Sequence, residues 1–297
     1  MTIQRCLVLG HDGFIGPHLC RQLAEGRPDL AVEGFSVAQA DLTQESAVES
    51  IAPKMGPGTA VVMLAAVKRQ MGDDVQAYLR NMALCATVVR AFAANPADRL
   101  MFVSSAAVYG EDIAGTAITE QSPVVPRSYY GLAKASGEMM FRLACRDDMA
   151  QRLVILRPAT IFGTGEGTEA YGPAGFLAKA LSGREITLWG DGSELREFVD
   201  VSDACAIMTR LLLGPAHGTF NLVTGTSISF QAILEEIREM LGRPFALAQK
   251  PRSKAKVDQT FDNRNLLATI GGFDFRPMRR SLETLRQFLE ARQAEAG

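Results

Sequence analysis

Short apolar runs of strand character alternate with longer helix-patterned segments through the first half of this chain, and no other feature constrains the fold as strongly. Arg5 to Leu9, Leu30 to Phe35, Ala60 to Ala65, Leu100 to Ser104 and Leu153 to Arg157 read as strands. Phe14 to Ala24, Val75 to Asn95 and Ser128 to Arg146 read as helices between them. Strands separated in this way require βαβ units, so the prediction is a doubly wound parallel α/β sheet with helices on both faces. After Arg157-Pro158 the pattern changes, and helical periodicity dominates at Phe176 to Leu181, Ser202 to Leu213, Ser229 to Leu241 and Ser281 to Ala294. Short strands are expected near Ile186 to Leu188, Glu197 to Val199 and Thr219 to Leu222. The predicted division is residues 1–158 for the sheet domain and 159–297 for a smaller C-terminal α/β substrate lobe, with allowance for one strand or helix returning to the first.

Gly10, Gly13 and Gly16 follow the first strand directly and open the first helix. At a first βα junction, such a trio gives a tight turn, a close approach of backbone to a pyrophosphate, and close packing of helix on strand. The pyrophosphate then rests on helix N-terminal amides, which makes the sheet Rossmann-type. The end of the second strand should carry an acid for the ribose of NAD or a basic residue for the phosphate of NADP. Ser36 stands there, so neither signature is present. Asp41-Leu42 follows only five residues later, which shortens the usual helix after the second strand.

The spacing of Tyr130 and Lys134 points to chemistry. At i and i+4 of a helix both side chains leave one face, whereas Tyr129, at i,i+5, points away from Lys134. A phenol with a pKa of about 10 is a poor base at neutral pH, and a cation at about 4 Å supplies energy of the order needed to ionise it. Ser104-Ser105 ends the apolar strand Leu100 to Val103, at the carboxyl edge where open α/β sheets bind ligands. Ser105 is placed to hold an oxygen while Tyr130 moves its proton.

Bulk properties exclude several classes. With 297 residues and 47% hydrophobic content the chain can bury a full core and a second smaller one. A net charge of −2 offers no attraction for nucleic acid or a membrane surface, and short basic runs such as Arg276 to Arg280 read as solvated surface. Cys6, Cys20, Cys85, Cys145 and Cys205 are odd in number and never in a C-x-x-C pair, so reduced thiols in a cytoplasmic compartment are expected. His11, His18 and His217 lack ligand spacing, so no metal site is expected. No signal-type leader precedes Cys6 to Leu9, and the longest apolar segment, Ala60 to Val67, is too short to span a bilayer.

Taken together, Gly10-x-x-Gly13-Phe14-Ile15-Gly16, Asp41-Leu42, Leu64-Ala65-Ala66 with Lys68, Asn81, Ser104 to Gly110, Tyr130-x-x-x-Lys134, Arg157-Pro158 and Trp189-Gly-Asp-Gly192 with Arg196-Glu-Phe198 resemble the extended short-chain dehydrogenase/reductase family, the epimerases, dehydratases and reductases of nucleotide sugars. The similarity runs from Gly10 to about Leu289. The resemblance implies that Ser105, Tyr130 and Lys134 are catalytic. It implies that the glycine loop, Ser36, Asp41, Leu42, Leu64 to Ala66, Lys68 and Asn81 line the cofactor, with Tyr130 and Lys134 also against it. Asp41 is equally suited to capping a helix ahead of Glu45, Lys68 to a solvated loop, and Asn81 to a polar helix position. Thr160, Arg196 and Arg252 are the implied substrate contacts, Arg196 against the diphosphate. As an alternative, Arg196 suits a salt bridge to Glu194 or Glu197. The family also commonly forms homodimers through the helices that contain Val75 to Asn95 and Ser128 to Arg146.

Departures from the family pattern narrow the reaction. Ala106 and Ala107 replace the acid pair of the 4,6-dehydratases. Ala106 stands where GDP-fucose synthase has its Cys, and no His lies between Arg157 and Leu213. Thr160 replaces the Asn usual in R-P-x-N, and the R-P-G-D pattern is absent around Arg252. Asp12 replaces a phosphate-binding Arg, which favours NAD; read as an exposed loop acid, it leaves NADP open. The expected function is 4-epimerisation of a nucleotide sugar through a 4-keto intermediate. The alternatives are a one-way 4-ketoreductase using NAD(P)H and a non-catalytic dinucleotide-binding protein.

Overall fold

The computed structural model describes residues 2–110, 117–167, 171–252 and 255–296. Its first half follows the chain as β1 (Arg5–Leu9), α1 (Gly16–Gly26), β2 (Ala31–Phe35), α2 (Ala47–Ile51), β3 (Thr59–Met63), α3 (Val75–Ala94), β4 (Arg99–Val103), α4 (Tyr129–Ala144) and β5 (Leu153–Pro158). The second half comprises β6 (Thr160–Phe162), α5 (Pro173–Leu181), β7 (Ile186–Trp189), β8 (Leu195–Arg196), β9 (Phe198–Asp200), α6 (Val201–Leu213), β10 (Gly218–Leu222), β11 (Ile228–Ser229), α7 (Phe230–Leu241), β12 (Leu247–Lys250), α8 (Arg264–Ile270) and α9 (Met278–Ala296).

Six strands form one parallel sheet in the order β2-β1-β3-β4-β5-β10. Both faces are covered, and the period of two along each strand shows how. Cys6 and Val8 face a core with Leu19 and Leu23 of α1 and Met208 and Leu211 of α6. Leu7 and Leu9 face the opposite core, with Phe92 of α3 and Phe141 of α4. Strands buried on both sides read as continuous apolar runs, which is why the sequence pattern announced them.

The expectation that Ser202 to Leu213 and Thr219 to Leu222 belong to the smaller lobe is corrected. β10 pairs with β5 in the main sheet, and α6 packs on α1 beneath it. The buried stripe Ala204, Ile207, Met208 and Leu211 of α6 closes a sheet face that α1 alone leaves uncovered. The second lobe has its own core of Phe162, Phe176, Leu188, Phe198, Phe230 and Leu282, drawn from β6, α5, β7, β9, α7 and α9.

The shortened connection after β2 is a run of turns, with Ser36 Oγ bonded to the Gln39 side chain, leading into the five-residue α2. Among the described residues no strand pairs outside β2, which therefore forms a sheet edge. The chain reverses its direction of winding between β1 and β3, and a crevice at their carboxyl ends is the ligand position for such a sheet. No helix among the described residues is long and apolar enough to cross a membrane.

Candidate active site

The loop from β1 into α1 occupies that crevice. Gly10 has φ +87°, and a Cβ there would lie 2.8 Å from the Ala65 amide nitrogen. A Cβ on Gly16 would lie 2.2 Å from the His11 carbonyl oxygen, so both positions require glycine. Pro17 occupies the first turn of α1, where its missing N–H is no loss. The remaining amides of that turn have no intrahelical partner and carry the positive end of the helix dipole. A diphosphate fits this cradle, since Gly10, Gly13 and Gly16 put no side chain in the way and the first turn of α1 offers amides without an intrahelical partner. Phe14 and Ile15 continue from the loop into the wall of a cleft of about 730 Å³, with Leu64 and Ala66 beside them.

Ser105, Tyr130 and Lys134 line the same cleft. Ser105 caps the short 3-10 turn Ala106–Tyr109, accepting a hydrogen bond from the Ala107 amide at 3.1 Å. Helix α4 starts where Ser128 Oγ accepts from the Gly131 amide, while Asp73 accepts from the Tyr130 amide, each at 3.0 Å. A Cβ on Gly131 would lie 2.5 Å from the Ala107 carbonyl oxygen, so this glycine lets α4 approach the turn that follows Ser105. Lys134 is buried, donates to the Val103 carbonyl at 2.7 Å, and holds its ammonium 5.7 Å from the centre of the Tyr130 ring. A fixed positive charge thus stands between the end of β4 and the phenol.

Behind these groups lies a buried network that sequence reasoning did not assemble. Glu138, one turn beyond Lys134, accepts from Ser104 Oγ at 2.6 Å and from Arg157 Nε and Nη2 at 2.9 and 2.6 Å. Arg157 Nη1 donates to the Tyr109 hydroxyl, which donates to Asn221 of β10 at 2.6 Å. Burial lowers the affinity of Arg157 for its proton, but the Glu138 carboxylate outweighs it and holds the guanidinium above its ordinary value. The signal for Glu138 was available: it shares the inward face of α4 with Lys134 and Phe141.

The other expected contacts divide. Lys68 is exposed at the cleft margin with its ammonium 6.0 Å from the Phe14 ring centre. Asn81 is spent on backbone, accepting from the Val67 amide and donating to the Val67 and Ala77 carbonyls, so it braces the loop that carries Lys68. Ala65 lies under Gly10, with its amide on the Leu9 carbonyl. The Leu42 side chain belongs to the core. Asp41 caps a turn, accepting from the hydroxyl and amide of Thr43, and these bonds hold its carboxyl below the usual range. The following helix begins only at Ala47, so Asp41 is not its N-cap. Asp12 is exposed.

Across the cleft, Thr160 and Arg196 lie in the wall, whereas Arg252 is outside it. Arg196 lies 3.7 Å from Glu194, and Arg252 reaches the same Glu194 at 3.4 Å as well as Asp191. Glu197 does not pair with Arg196; its Oε2 accepts from Thr224 and Gly225, and burial raises its carboxyl above the usual range. Glu166 also lines the cleft, with burial pushing its carboxyl up to about 7. Neither acid was singled out from sequence as a site residue; the glycines around Glu166 mark only a loop.

A parallel sheet with a glycine cradle, and a serine, tyrosine and lysine meeting at its carboxyl edge, define a dinucleotide-dependent α/β enzyme. The family model "NAD dependent epimerase/dehydratase family" matches residues 6–222, and the chain belongs to that family. A Streptomyces dTDP-4-dehydro-6-deoxy-D-allose reductase is 26% identical, with 93% of each chain covered. The structure of Thermotoga maritima UDP-glucose 4-epimerase with UDP-glucose superposes with a TM-score of 0.85 at 21% identity, covering 97% of this chain and 99% of that one. The Bacillus cereus UDP-glucuronic acid 4-epimerase, in complex with UDP-glucuronic acid and NAD, gives 0.82 at 20% identity, over 97% and 99%.

Proposed function

We propose that this protein is an NAD-dependent 4-epimerase of a nucleotide sugar, with Ser105, Tyr130 and Lys134 as its catalytic residues. The observation that carries the reading is the convergence of these three side chains on the cleft that the glycine loop enters. The amides that open α1 would hold the dinucleotide diphosphate, with Gly13 leaving room for its approach, and the bound nicotinamide supplies a site that takes hydride from carbon and returns it. Ser105 holds the C4 oxygen of the sugar by a hydrogen bond. Tyr130 takes the proton of that hydroxyl as C4 becomes a ketone, and gives it back when hydride returns to the other face. Lys134, fixed by Val103, places positive charge beside the phenol through both half-reactions. Arg196 and Thr160 hold the nucleotide sugar from the opposite wall.

A one-way 4-ketoreductase uses the same residues, and the similarity to the Streptomyces reductase supports this second reading. Purified protein assayed on UDP- and dTDP-hexoses separates the two. Epimerisation predicts product without added cofactor and no net change in nicotinamide absorbance, while stoichiometric loss of NAD(P)H favours the reductase. In either case Tyr130→Phe is expected to lose about 100-fold or more in kcat while still binding the sugar nucleotide. Unchanged turnover in that variant would overturn the mechanism.

The apolar side chains Leu79, Leu132, Met139 and Leu143 are exposed on α3 and α4, which supports assembly as a homodimer through these helices. Five free cysteines, four of them buried, suit a reducing cytoplasm.

A further inference from the structure

Directly after Ser105, the 3-10 turn Ala106–Tyr109 puts two alanines into the cleft wall, and Ala159 and Phe261 continue it. Ala106, Ala107 and Ala159 are partly exposed, so a molecule in the cleft can touch them. Behind them the wall is closely packed, with Ala106 and Ala159 resting on the buried cluster that contains Val108, Tyr109 and Phe261. Ile118 holds the segment that carries Phe261 in place. Its amide donates to the Thr260 carbonyl at 2.8 Å, and its carbonyl accepts from the Asp262 amide at 2.9 Å.

The backbone lends this wall little polarity. The Ala107 amide is bonded to Ser105 Oγ, the Val108 amide to the Ser105 carbonyl and the Gly110 amide to the Ala107 carbonyl. On the next strand the Ala159 amide is bonded to the Leu222 carbonyl, and Pro158 has no N–H to offer. Gln259, which lines the same cleft, donates its side-chain amide to the Gly110 carbonyl at 3.5 Å. What Ser105 has beside it is therefore a surface of methyl groups and one aromatic ring.

We propose that this wall selects nucleotide sugars whose C6 is a methyl group, the 6-deoxyhexoses. The inference rests on the nucleotide-sugar reading of the cleft. With Ser105 on the C4 oxygen, the two alanines that follow it in the chain lie beside a group that flanks C4. One flank is C3 with its hydroxyl, and the other is C5, which carries C6. A C6 methyl leaves water for Ala106, Ala107 and Phe261 without giving up a hydrogen bond. A C6 hydroxymethyl group gives up its water for a surface whose amides are already bonded. An apolar pocket discriminates against an added hydroxyl by up to about 100-fold.

The test is calorimetric titration of the whole NAD-loaded protein with dTDP-glucose and dTDP-6-deoxyglucose, or with the corresponding UDP pair. Wild type should bind the 6-deoxy sugar about tenfold tighter or more. Ala106→Ser with Ala107→Ser supplies hydroxyl partners to the wall and should bring the ratio to within about threefold. The 3-deoxy sugar of the same nucleotide, which lacks the hydroxyl on the other flank of C4, should bind no tighter than the parent. A wild-type ratio near one, or one that favours the parent sugar, overturns the inference without any variant. So does a ratio unchanged in a double variant that binds both probes, or a 3-deoxy sugar that gains as much as the 6-deoxy one. If no probe binds, the nucleotide-sugar reading fails and takes this inference with it.

Discussion

Glu138→Ala tests whether the network behind the catalytic groups holds the fold. The carboxylate is 4% exposed and accepts three hydrogen bonds, two of them from the Arg157 guanidinium, itself 4% exposed. Truncation leaves Arg157 with the Tyr109 hydroxyl at 3.0 Å and the Glu120 carbonyl at 3.2 Å, and with no carboxylate opposite its charge. Removing one partner of a buried pair costs about 3–5 kcal/mol, chiefly because the other charge stays buried and uncompensated. The loss is read as a fall in unfolding free energy in urea. Replacing both groups, as Glu138→Leu with Arg157→Leu, removes the uncompensated charge and should recover much of it. Loss of less than about 1 kcal/mol in Glu138→Ala, or a double variant that loses the sum of the singles, would refute the reasoning.

The glycine loop separates folding from binding. Gly16→Ala forces a Cβ within 2.2 Å of the His11 carbonyl and should lower the Tm, whereas Gly13→Ala meets only the Gly10 carbonyl at 3.3 Å. Gly13→Ala should therefore keep its Tm within about 2 °C yet lose about tenfold or more in NAD affinity, as followed by thermal shift and calorimetry. Glu166 predicts a pH dependence of stability. Its folded pKa, raised by burial from 4.5 to about 7, means that the folded chain holds a proton which the unfolded chain releases, so stability falls as pH rises through that window. Glu166→Gln should gain up to about 3 kcal/mol relative to wild type between the two ends of the window, and a constant difference would count against it. Met139→Arg with Leu143→Arg should convert a dimer to a monomer in light scattering; a monomeric wild type would sink the assembly proposal.

The parts of the site that sequence made legible are those where neighbours in the chain are neighbours in space. Gly10 to Gly16 is one turn, and Tyr130 and Lys134 are one helical step apart. Ser105 was reached because an apolar strand ends at it. What escaped depends on pairing across long separations. β10 joins β5 from 64 residues away, and parallel pairing leaves no local mark to foretell it. Arg157 was legible as part of a motif, but its partner Glu138 became visible only once α4 was laid on β5. Nor does the sequence show that the Leu42 side chain fills the core and that the Asn81 side chain is bonded to the backbone of the loop carrying Lys68, since both depend on how α3 and the strands pack.

Helix α4 presents Tyr130, Lys134 and Glu138 at successive steps of four, and turns Leu132, Met139 and Leu143 toward solvent. Each residue advances the helix by about 100°, so a single insertion between 130 and 138 would swing Glu138 out of reach of Arg157 while leaving Tyr130 in place. The segment therefore works as a ruler whose divisions are whole residues. Its length is constrained more tightly than much of its composition, and change in this stretch of the chain should come by substitution and not by insertion or deletion.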